Sequence, residues 1–389
     1  MILMSTLFPR DYEESRATFR QDLERVQARW PNARLESHRL AGDEGVAEGC
    51  AEDLTIDWIY ADGLQRHDRL LLFTAGIHGL EAHVGAGIFR LFVQEFLPRL
   101  DPSSTGLLFV HAINPWGMQH RRRTNQANVD LNRNFVWDTR LLDRSFNAGY
   151  GRLTSLLNPR EPVRAVAWES LTFLFRLLWS VASLGLARFR HDTLLGQYSL
   201  PQGLYYGGAA LQEETQVLMG LYRQHIPKYS QVVHVDVHSG YGPRYQMSIV
   251  NSALEPRDSA ELARQFSYPL VVKANPDEFY SMRGDMIDYV YTLVYNQFPN
   301  VRLYATSFEF GTLGDSIAGL FRSLRALVFE NRLYWTGARN RTARERVERE
   351  FQELFYPQDE RWRAKALSDA RQALDGILYA EGYLSRTGE

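Results

Sequence analysis

One apolar stretch, from Arg69 to Thr74, constrains the fold more than any other part of this sequence. An apolar run bounded by glycine is typical of a buried central strand, and helical spacing follows from about Gly85. His78 and Glu81 come between them, at the predicted carboxyl end of the strand, where open α/β sheets bind their ligands. Imidazole nitrogen and carboxylate oxygen both suit Zn²⁺, so this pair can form half of a metal site, although His-x-x-Glu also occurs by chance.

The bulk composition narrows the class of protein. The chain has 389 residues, of which 45% are hydrophobic and 23% charged, and this is an ordinary globular composition. A net charge of -2 gives no strong attraction to nucleic acid. Because Cys50 is the single cysteine, an intrachain disulfide and a cysteine zinc site are both excluded. Any metal must therefore be held by His, Asp or Glu.

Two apolar segments bear on location. The first eleven residues lack the basic start and the long apolar run of a secretory signal, so we expect a cytoplasmic protein. Leu171 to Ala187 is the most apolar long stretch, but it is at the lower length limit for a membrane span and has Arg176 in its middle. We interpret it as a buried or groove-covering helix and expect no stable membrane insertion.

Two further strands are predicted to deliver polar side chains to the same edge of the sheet. Ser230 to Val237 reads as a buried strand and is followed by His238, and Ala305 to Phe310 contains Glu309 between two phenylalanines. A carboxylate buried there without a partner would be costly, so Glu309 is expected to have a chemical role. Two His and one Glu leave the fourth position of zinc open, as in catalytic zinc sites.

The segment 120–135 is rich in Arg and Asn. It could be a solvated basic loop or a nucleic-acid patch, but the acidic net charge and the absence of interleaved aromatic residues count against the patch. The alternative is a set of anion clamps, since guanidinium forks match carboxylates. The Gly- and Tyr-rich loop 195–208 could equally line a cleft or simply connect two elements.

Taken together, these motifs resemble the zinc carboxypeptidase superfamily typified by carboxypeptidase A, also called the funnelins. Within it they are most similar to a bacterial branch long described as a domain of unknown function. The matching motifs, in family order, are His78-x-x-Glu81, Asn114-Pro115-x-Gly117, residues 130–135 (Asp-Leu-Asn-Arg-Asn-Phe), His238-Ser239 and Phe308-Glu309. The resemblance spans residues 74–312.

The resemblance implies an α/β fold with a mixed, mostly parallel sheet of about eight strands and helices on both faces. The alternation of predicted strands and helices agrees with it. No repeat or linker interrupts the chain, so we expect one catalytic domain over residues 1–389. Within it we expect an inserted helical segment at about 136–194 and a helical C-terminal extension at about 337–389.

The resemblance also implies roles for individual residues. His78, Glu81 and His238 fall on the ligands of one zinc ion per chain, and Glu309 falls on the general base. A fifth residue, Asp236, precedes His238 by two and is expected either to orient a ligand imidazole or to form a structural salt bridge.

The remaining positions of the resemblance concern the substrate. Asn132 and Arg133 fall on the pair that binds a terminal carboxylate, and Arg123 falls on the oxyanion arginine, with the two preceding arginines, at 121 and 122, as rival placements. Tyr280 falls on the mobile capping tyrosine, and Ile287 on the base of the side-chain pocket. An apolar residue there suggests an apolar or aromatic side chain in the substrate, although the charged residues at 283 and 285 argue otherwise.

Three functions follow as hypotheses. The first is a zinc metallocarboxypeptidase that hydrolyses a C-terminal peptide bond. The second is a zinc deacylase resembling aspartoacylase and succinylglutamate desuccinylase, which would cleave an N-acyl amino acid or another small amide. The third is an inactive binding or scaffold protein, which the presence of every catalytic residue type disfavours. The expected partner is a peptide or N-acyl amino acid, not nucleic acid, and the oligomeric state stays open.

Overall fold

The computed structural model describes residues 7–41, 53–274 and 282–385. Within them, one sheet has eight strands, which are β1 (Arg34–Arg39), β2 (Thr55–Ala61), β3 (Arg69–Ala75), β4 (Thr105–His111), β5 (Gln231–Gly240), β6 (Met247–Asn251), β7 (Val271–Lys273) and β8 (Arg302–Gly311). Their spatial order in the sheet is β1-β2-β4-β3-β5-β8-β6-β7. The four central strands β4, β3, β5 and β8 are mutually parallel, while β1, β2 and β6 introduce antiparallel pairs. The predicted mixed sheet is therefore confirmed.

Helices cover both faces of the sheet. They are α1 (Tyr12–Gln27), α2 (Ala82–Glu95), α3 (Pro115–Gln119), α4 (Thr154–Leu157), α5 (Val166–Leu184), α6 (Leu186–Leu194), α7 (Glu213–His225), α8 (Ser259–Phe266), α9 (Met286–Gln297), α10 (Ile317–Thr336), α11 (Arg341–Phe355) and α12 (Glu360–Ala380). Side chains alternate along β3, so that Leu71 and Phe73 face α1, α2 and α12, whereas Leu70 and Leu72 face α7 and α9. A strand that is apolar on both faces is thereby buried on both, as its sequence predicts.

The inserted segment is helical, as predicted, since α4, α5 and α6 lie within it. It shares a small separate core with α10 and α11, in which Phe173 of α5 packs against Phe321 and Phe329 of α10. No single helix in the described ranges is long and apolar enough to cross a membrane. By length and composition α5 and α6 could do so only as a pair, and they are bent by 111° at Gly185.

The C-terminal extension is also helical, which confirms the prediction. It is not a peripheral tail, because Leu374, Ile377 and Leu378 of α12 are buried in the main core beside α2. In α11, Phe351 and Phe355 pack in the same core, and Leu354 and Phe355 reach the wall of the cavity described below. The extension therefore stabilises the face of the sheet and helps to shape its carboxyl edge.

Candidate active site

The carboxyl ends of β3 and β5 bring the three predicted metal ligands together. Nδ1 of His78 lies 2.9 Å from Oε1 of Glu81, and Nδ1 of His238 lies 3.3 Å from Oε2 of the same carboxylate. One ligand atom from each residue lies within 4.8 Å of the others, and all three side chains are buried. Although Nδ1 of His78 is that close to Glu81, it makes no well-aligned hydrogen bond. A buried His₂Glu set with an orphaned imidazole nitrogen fits a metal ion.

The Asn-Pro-x-Gly motif explains how the first two ligands are held in place. A Cβ at Gly79 would lie 2.0 Å from the carbonyl carbon of Gly117, so both backbones approach in a way that only glycine allows. Asn114 fixes the second glycine by accepting a hydrogen bond from its N–H at 2.8 Å. The amides of residues 79 and 80 donate to the carbonyls of Arg123 and Arg122. The metal half-site and the Arg/Asn loop are thus one rigid unit.

Each imidazole is oriented by a second carboxylate on its far side. Nε2 of His78 lies 3.1 Å from Asp130, and Nε2 of His238 lies 2.6 Å from Asp236. Asp236 also accepts a 2.6 Å hydrogen bond from the Thr74 hydroxyl. Both carboxylates are fully buried, and they hold each ring with Nδ1 toward Glu81. The contact of Asp236 with His238 agrees with the orienting role predicted for it. For Asp130 the sequence predicted membership of a motif but no contact with His78.

Opposite charges shift the pKa values of the ligands. Burial works against the charged forms, but His78 and His238 lower the pKa of Glu81 far below its usual range. Likewise Asp236 and Glu81 raise the pKa of His238 well above its usual range, despite burial. The same pattern holds for Asp130, whose pKa is lowered well below the ordinary value by Arg123, Arg133 and His78 against the effect of burial. The ionised carboxylates of the centre therefore favour a positive charge beside them.

Glu309 is the register partner of His238 across β5 and β8. Its carboxylate accepts a 3.0 Å hydrogen bond from the amide of Tyr241 and lines the same cavity as the ligands. Burial raises its pKa to about 7, helped by Glu81 and opposed by His238. A carboxylate with a pKa near neutrality can take up and release protons at neutral pH, as a general base requires.

These residues open into one cavity of about 520 Å³, within the usual range of ligand pockets. The predicted residues that reach its wall in the described part of the chain are His78, Glu81, Arg123, Asn132, His238, Ile287 and Glu309. Tyr205, from the loop whose role was left open, also lines it, so that loop belongs to the cleft.

The three rival arginines have different surroundings. Arg123 is an ion-pair partner of Asp130 and reaches the cavity wall. Arg122 points elsewhere, to Glu330 at 2.8 Å and onto the ring of Tyr334. The third, at 121, is at the surface and donates to Gln352 of α11. Only the first is placed to meet a bound substrate.

The two residues of the expected carboxylate-binding pair have different surroundings, since only one of them lines the cavity. Asn132 lines the cavity, and its amide donates to Asp285 at 2.9 Å. Arg133 has an exposed fraction of 0% and is absent from the cavity wall. Its guanidinium donates instead to the carbonyls of residue 132 and Leu194, and its side chain packs against Gly196, where a Cβ would lie 2.7 Å away. Sequence position alone gave no sign of this covering loop.

The proposed side-chain pocket is more acidic than one apolar residue suggests. Ile287 lies at the start of α9 on the cavity wall, beside Asp285 and Asp288. Burial and the neighbouring Asp285 raise the pKa of Asp288 to about 7, and Ser252 donates to it. Tyr280 lies outside the described residues.

The other histidines near the site have structural surroundings. His83 faces the carbonyl of Leu80 and stacks on Tyr356, while His111 and His234 contact Ser15 and Thr74. Burial lowers the pKa of all three to about 4. They do not line the cavity.

Comparison with known proteins places the chain in a family. The family described as "Protein of unknown function (DUF2817)" matches residues 8–369, and the chain belongs to it. This confirms the expected membership of a family described as a domain of unknown function. No curated protein matches the chain.

Several solved structures are similar to the chain. Bovine thrombin-activatable fibrinolysis inhibitor, in complex with tick carboxypeptidase inhibitor, shares 14% identity over 82% of this chain and 95% of its own, with a TM-score of 0.44. Carboxypeptidase A from Helicoverpa armigera shares 13% identity over 90% and 74%, with a TM-score of 0.42. An aspartoacylase family protein from Mesorhizobium loti shares 16% over 78% and 67%, with a TM-score of 0.33. Likenesses this distant assign no activity to the chain.

Proposed function

We propose that this member of the DUF2817 family is a zinc-dependent hydrolase that releases an amino acid with a free carboxylate from an amide bond, as a metallocarboxypeptidase does. One observation carries the proposal. A buried His₂Glu triad, a carboxylate with a pKa near 7 and an arginine all line a single cavity.

The triad is the part of the site that supports zinc. His78, Glu81 and His238 offer two nitrogens and one oxygen, a set that zinc accepts and that leaves a position open. Bound there, the metal would supply a Lewis acid beside the scissile carbonyl and acidify water. The outer carboxylates Asp130 and Asp236 would keep both rings in the ligating orientation.

The chain's own residues account for the proton transfers. As water adds to the carbonyl carbon, a C–O bond forms and Glu309 accepts the proton that water loses. Glu309 then returns a proton to the nitrogen as the C–N bond breaks, so that an amine and a carboxylic acid leave. We assign Arg123 to the developing oxyanion and Asn132 to the terminal carboxylate of the substrate, because both reach the cavity wall.

Of two predicted substrate-binding residues, Arg133 would have to rearrange to bind substrate, and Tyr280 lies outside the described residues. Arg133 would have to exchange its carbonyl partners for substrate to bind a carboxylate directly. In the present conformation it supports the site from behind, 3.9 Å from Asp130. A capping role for Tyr280 remains a prediction.

The second candidate is the deacylase, which would act on an N-acyl amino acid or a related small amide. The observation that favours it is the apolar character of the cavity beyond the triad, where Leu174, Leu177 and Phe321 form the wall. Both candidates share the triad, the base and a carboxylate-bearing leaving group. They differ only in what precedes the scissile bond. A cytoplasmic location remains a prediction for either.

Metal analysis and a substrate panel test the proposal. Purified protein should contain about one zinc per chain and should hydrolyse peptides, N-acyl amino acids or both. Cleavage of N-acyl amino acids alone would select the deacylase. Protein without zinc, or zinc protein inert toward every class, contradicts the proposal.

Substitution of the base gives the sharper test. Glu309→Gln should keep the metal and lose at least about 100-fold in kcat, because the amide cannot accept the proton. Glu214→Gln is the matched control. Glu214 is also a buried carboxylate whose pKa burial raises to about 7, but it contacts Asn125 and lies outside the cavity. Retained activity in the first variant would place the base elsewhere.

A further inference from the structure

The cavity has two chemically different parts. Near the triad its wall carries polar groups, among them Arg123, Asn132 and Asp285. Farther out, the wall is built from α5, α6 and α10. Every side chain that α5 contributes is aliphatic, and five of the six from α10 are apolar, including Phe321 and Leu324.

The mouth of this outer part is mostly apolar as well, with the exposed Arg190 as a charged exception. Leu178, Leu186 and Ile317 line the cavity, yet 56%, 61% and 89% of their surfaces are exposed. Leaving such side chains in water costs free energy in proportion to their apolar area, which a ligand that covers them would recover. Exposed apolar patches of this kind mark binding sites in many proteins.

The scarcity of polar groups between α5 and α10 selects the ligand. Of the cavity-lining residues that these two helices contribute, only Ser323 is polar, and the other polar lining residues of the outer wall, Arg190 and Thr193, belong to α6. A peptide backbone placed between α5 and α10 would bury N–H and C=O groups against aliphatic side chains, at a cost for each unpaired group. A hydrocarbon chain has no such groups to lose. The helix α5 is apolar on its outer side too, where Trp168, Phe175 and Trp179 are exposed, so the entrance suits a molecule that partitions into lipid.

We propose that the substrate is an amphiphile, an amide between a long aliphatic acyl chain and an amino acid, and that its chain occupies the space between α5, α6 and α10. The inference rests on the proposed function and specifies its substrate class. The carboxylate head group lies toward Asn132, and the scissile amide lies at the triad beside Arg123. Insertion of the helical segment thereby converts a peptide cleft into a site for hydrocarbon.

A chain-length series tests this inference. The zinc-loaded protein is assayed with N-acetyl-, N-butanoyl-, N-octanoyl- and N-dodecanoyl-alanine, each below its micellar concentration and again in phosphatidylcholine vesicles. Since each buried methylene is worth about a fourfold change in binding, kcat/KM should rise about 16-fold for every two methylenes until the cavity is filled. Faster turnover in vesicles would identify the bilayer as the source of substrate, and equal turnover would identify free monomers.

Two leucines of α5 provide matched variants. Leu177 lines the cavity, whereas Leu171 faces outward and is 43% exposed. Leu177→Trp should lower the ratio of dodecanoyl to acetyl kcat/KM by at least tenfold, and Leu171→Trp should leave it unchanged. A ratio cancels the amount of folded enzyme, so partial unfolding cannot imitate the effect. The inference is overturned if kcat/KM does not depend on chain length, or if Leu177→Trp leaves the ratio of dodecanoyl to acetyl kcat/KM unchanged.

Binding separates this inference from the proposed function. Calorimetric titration of alkanoates from butanoate to dodecanoate into the metal-free protein requires no catalysis. Affinity that rises with chain length and falls in Leu177→Trp supports the hydrocarbon site, even if no amide is hydrolysed. Affinity independent of length overturns it, even if peptides are cleaved.

Discussion

The two outer carboxylates offer a matched pair of substitutions with different expected costs. Asp130 and Asp236 are both fully buried, and each lies against Nε2 of one ligand imidazole. Replacement of either by Asn removes the charge with little change in volume. Loss of an outer carboxylate typically weakens metal binding by about 10–100-fold, or about 1.4–2.7 kcal/mol. We expect both variants to show this loss.

Their effects on folding should differ, because only Asp130 neutralises guanidinium groups. It pairs with Arg123 and lies 3.9 Å from the fully buried Arg133. Asp130→Asn leaves these charges facing a neutral amide, which costs about 3–5 kcal/mol in comparable buried pairs. Asp236→Asn leaves no buried arginine without its carboxylate partner. Loss of the charged interactions of Asp236 with Thr74 and His238 should cost about 1–3 kcal/mol.

The assays are urea unfolding of the metal-free variants and zinc competition with a chromogenic chelator. Asp57→Asn serves as the control, since Asp57 is a buried partner of Arg20 on β2, is separated from β3 by β4, and does not line the cavity. It should lower the free energy of unfolding without altering zinc affinity. The reasoning is wrong if Asp236→Asn destabilises the metal-free protein as much as Asp130→Asn, or if zinc affinity in either stays within twofold of the parent.

Two further predictions concern stability. Gly79→Ala should cost about 3 kcal/mol of unfolding free energy, because its Cβ would meet the backbone of Gly117, while Gly151→Ala, with nothing within 4 Å, should cost less than about 1 kcal/mol. Equal urea midpoints would contradict this. Burial lowers the pKa of His83 to about 4, below the unfolded value near 6.5, so the unfolded chain binds the extra proton. The contribution of His83 to stability is therefore fully present above pH 6.5 and is lost, by up to about 3 kcal/mol, as pH drops toward 4. His111 and His234 have the same lowered pKa and act in the same direction, so His83→Gln should reduce but not abolish the pH dependence in urea titrations.

The local parts of this fold could be predicted because local patterns determine them. Arg69 to Thr74 is apolar at every position but its ends, which only a strand buried on both faces accommodates. The parallel strands it implies then bring His78 and His238 to one edge, whatever the loops do. The contact between Asp130 and His78 has no such local signature, because 52 residues separate the two and the path of the loop decides it.

The packing of α5 could be predicted only in part. Its sequence indicated a buried or groove-covering helix, and one side of it does cover the cavity. The other side leaves Trp168 and Trp179 exposed, which an apolar pattern cannot reveal, since it does not state how many sides of a helix have a protein partner. Tertiary contacts with α10 determine which side of α5 is buried.

Arg133 shows how the inserted segment changes the chemistry of the cleft. The resemblance places this arginine on a carboxylate-binding position, yet the carbonyl of Leu194 and the turn at Gly196, at the end of the insertion, enclose its side chain. The insertion therefore does two things at once: it covers one cationic anchor and it adds an aliphatic wall beyond the triad. Both features agree with the proposal of a substrate that has a hydrocarbon acyl chain. Because Asn132 remains on the wall beside Arg123, the proposed site can still bind one carboxylate near the triad, as an amphiphile with a single charged head group requires.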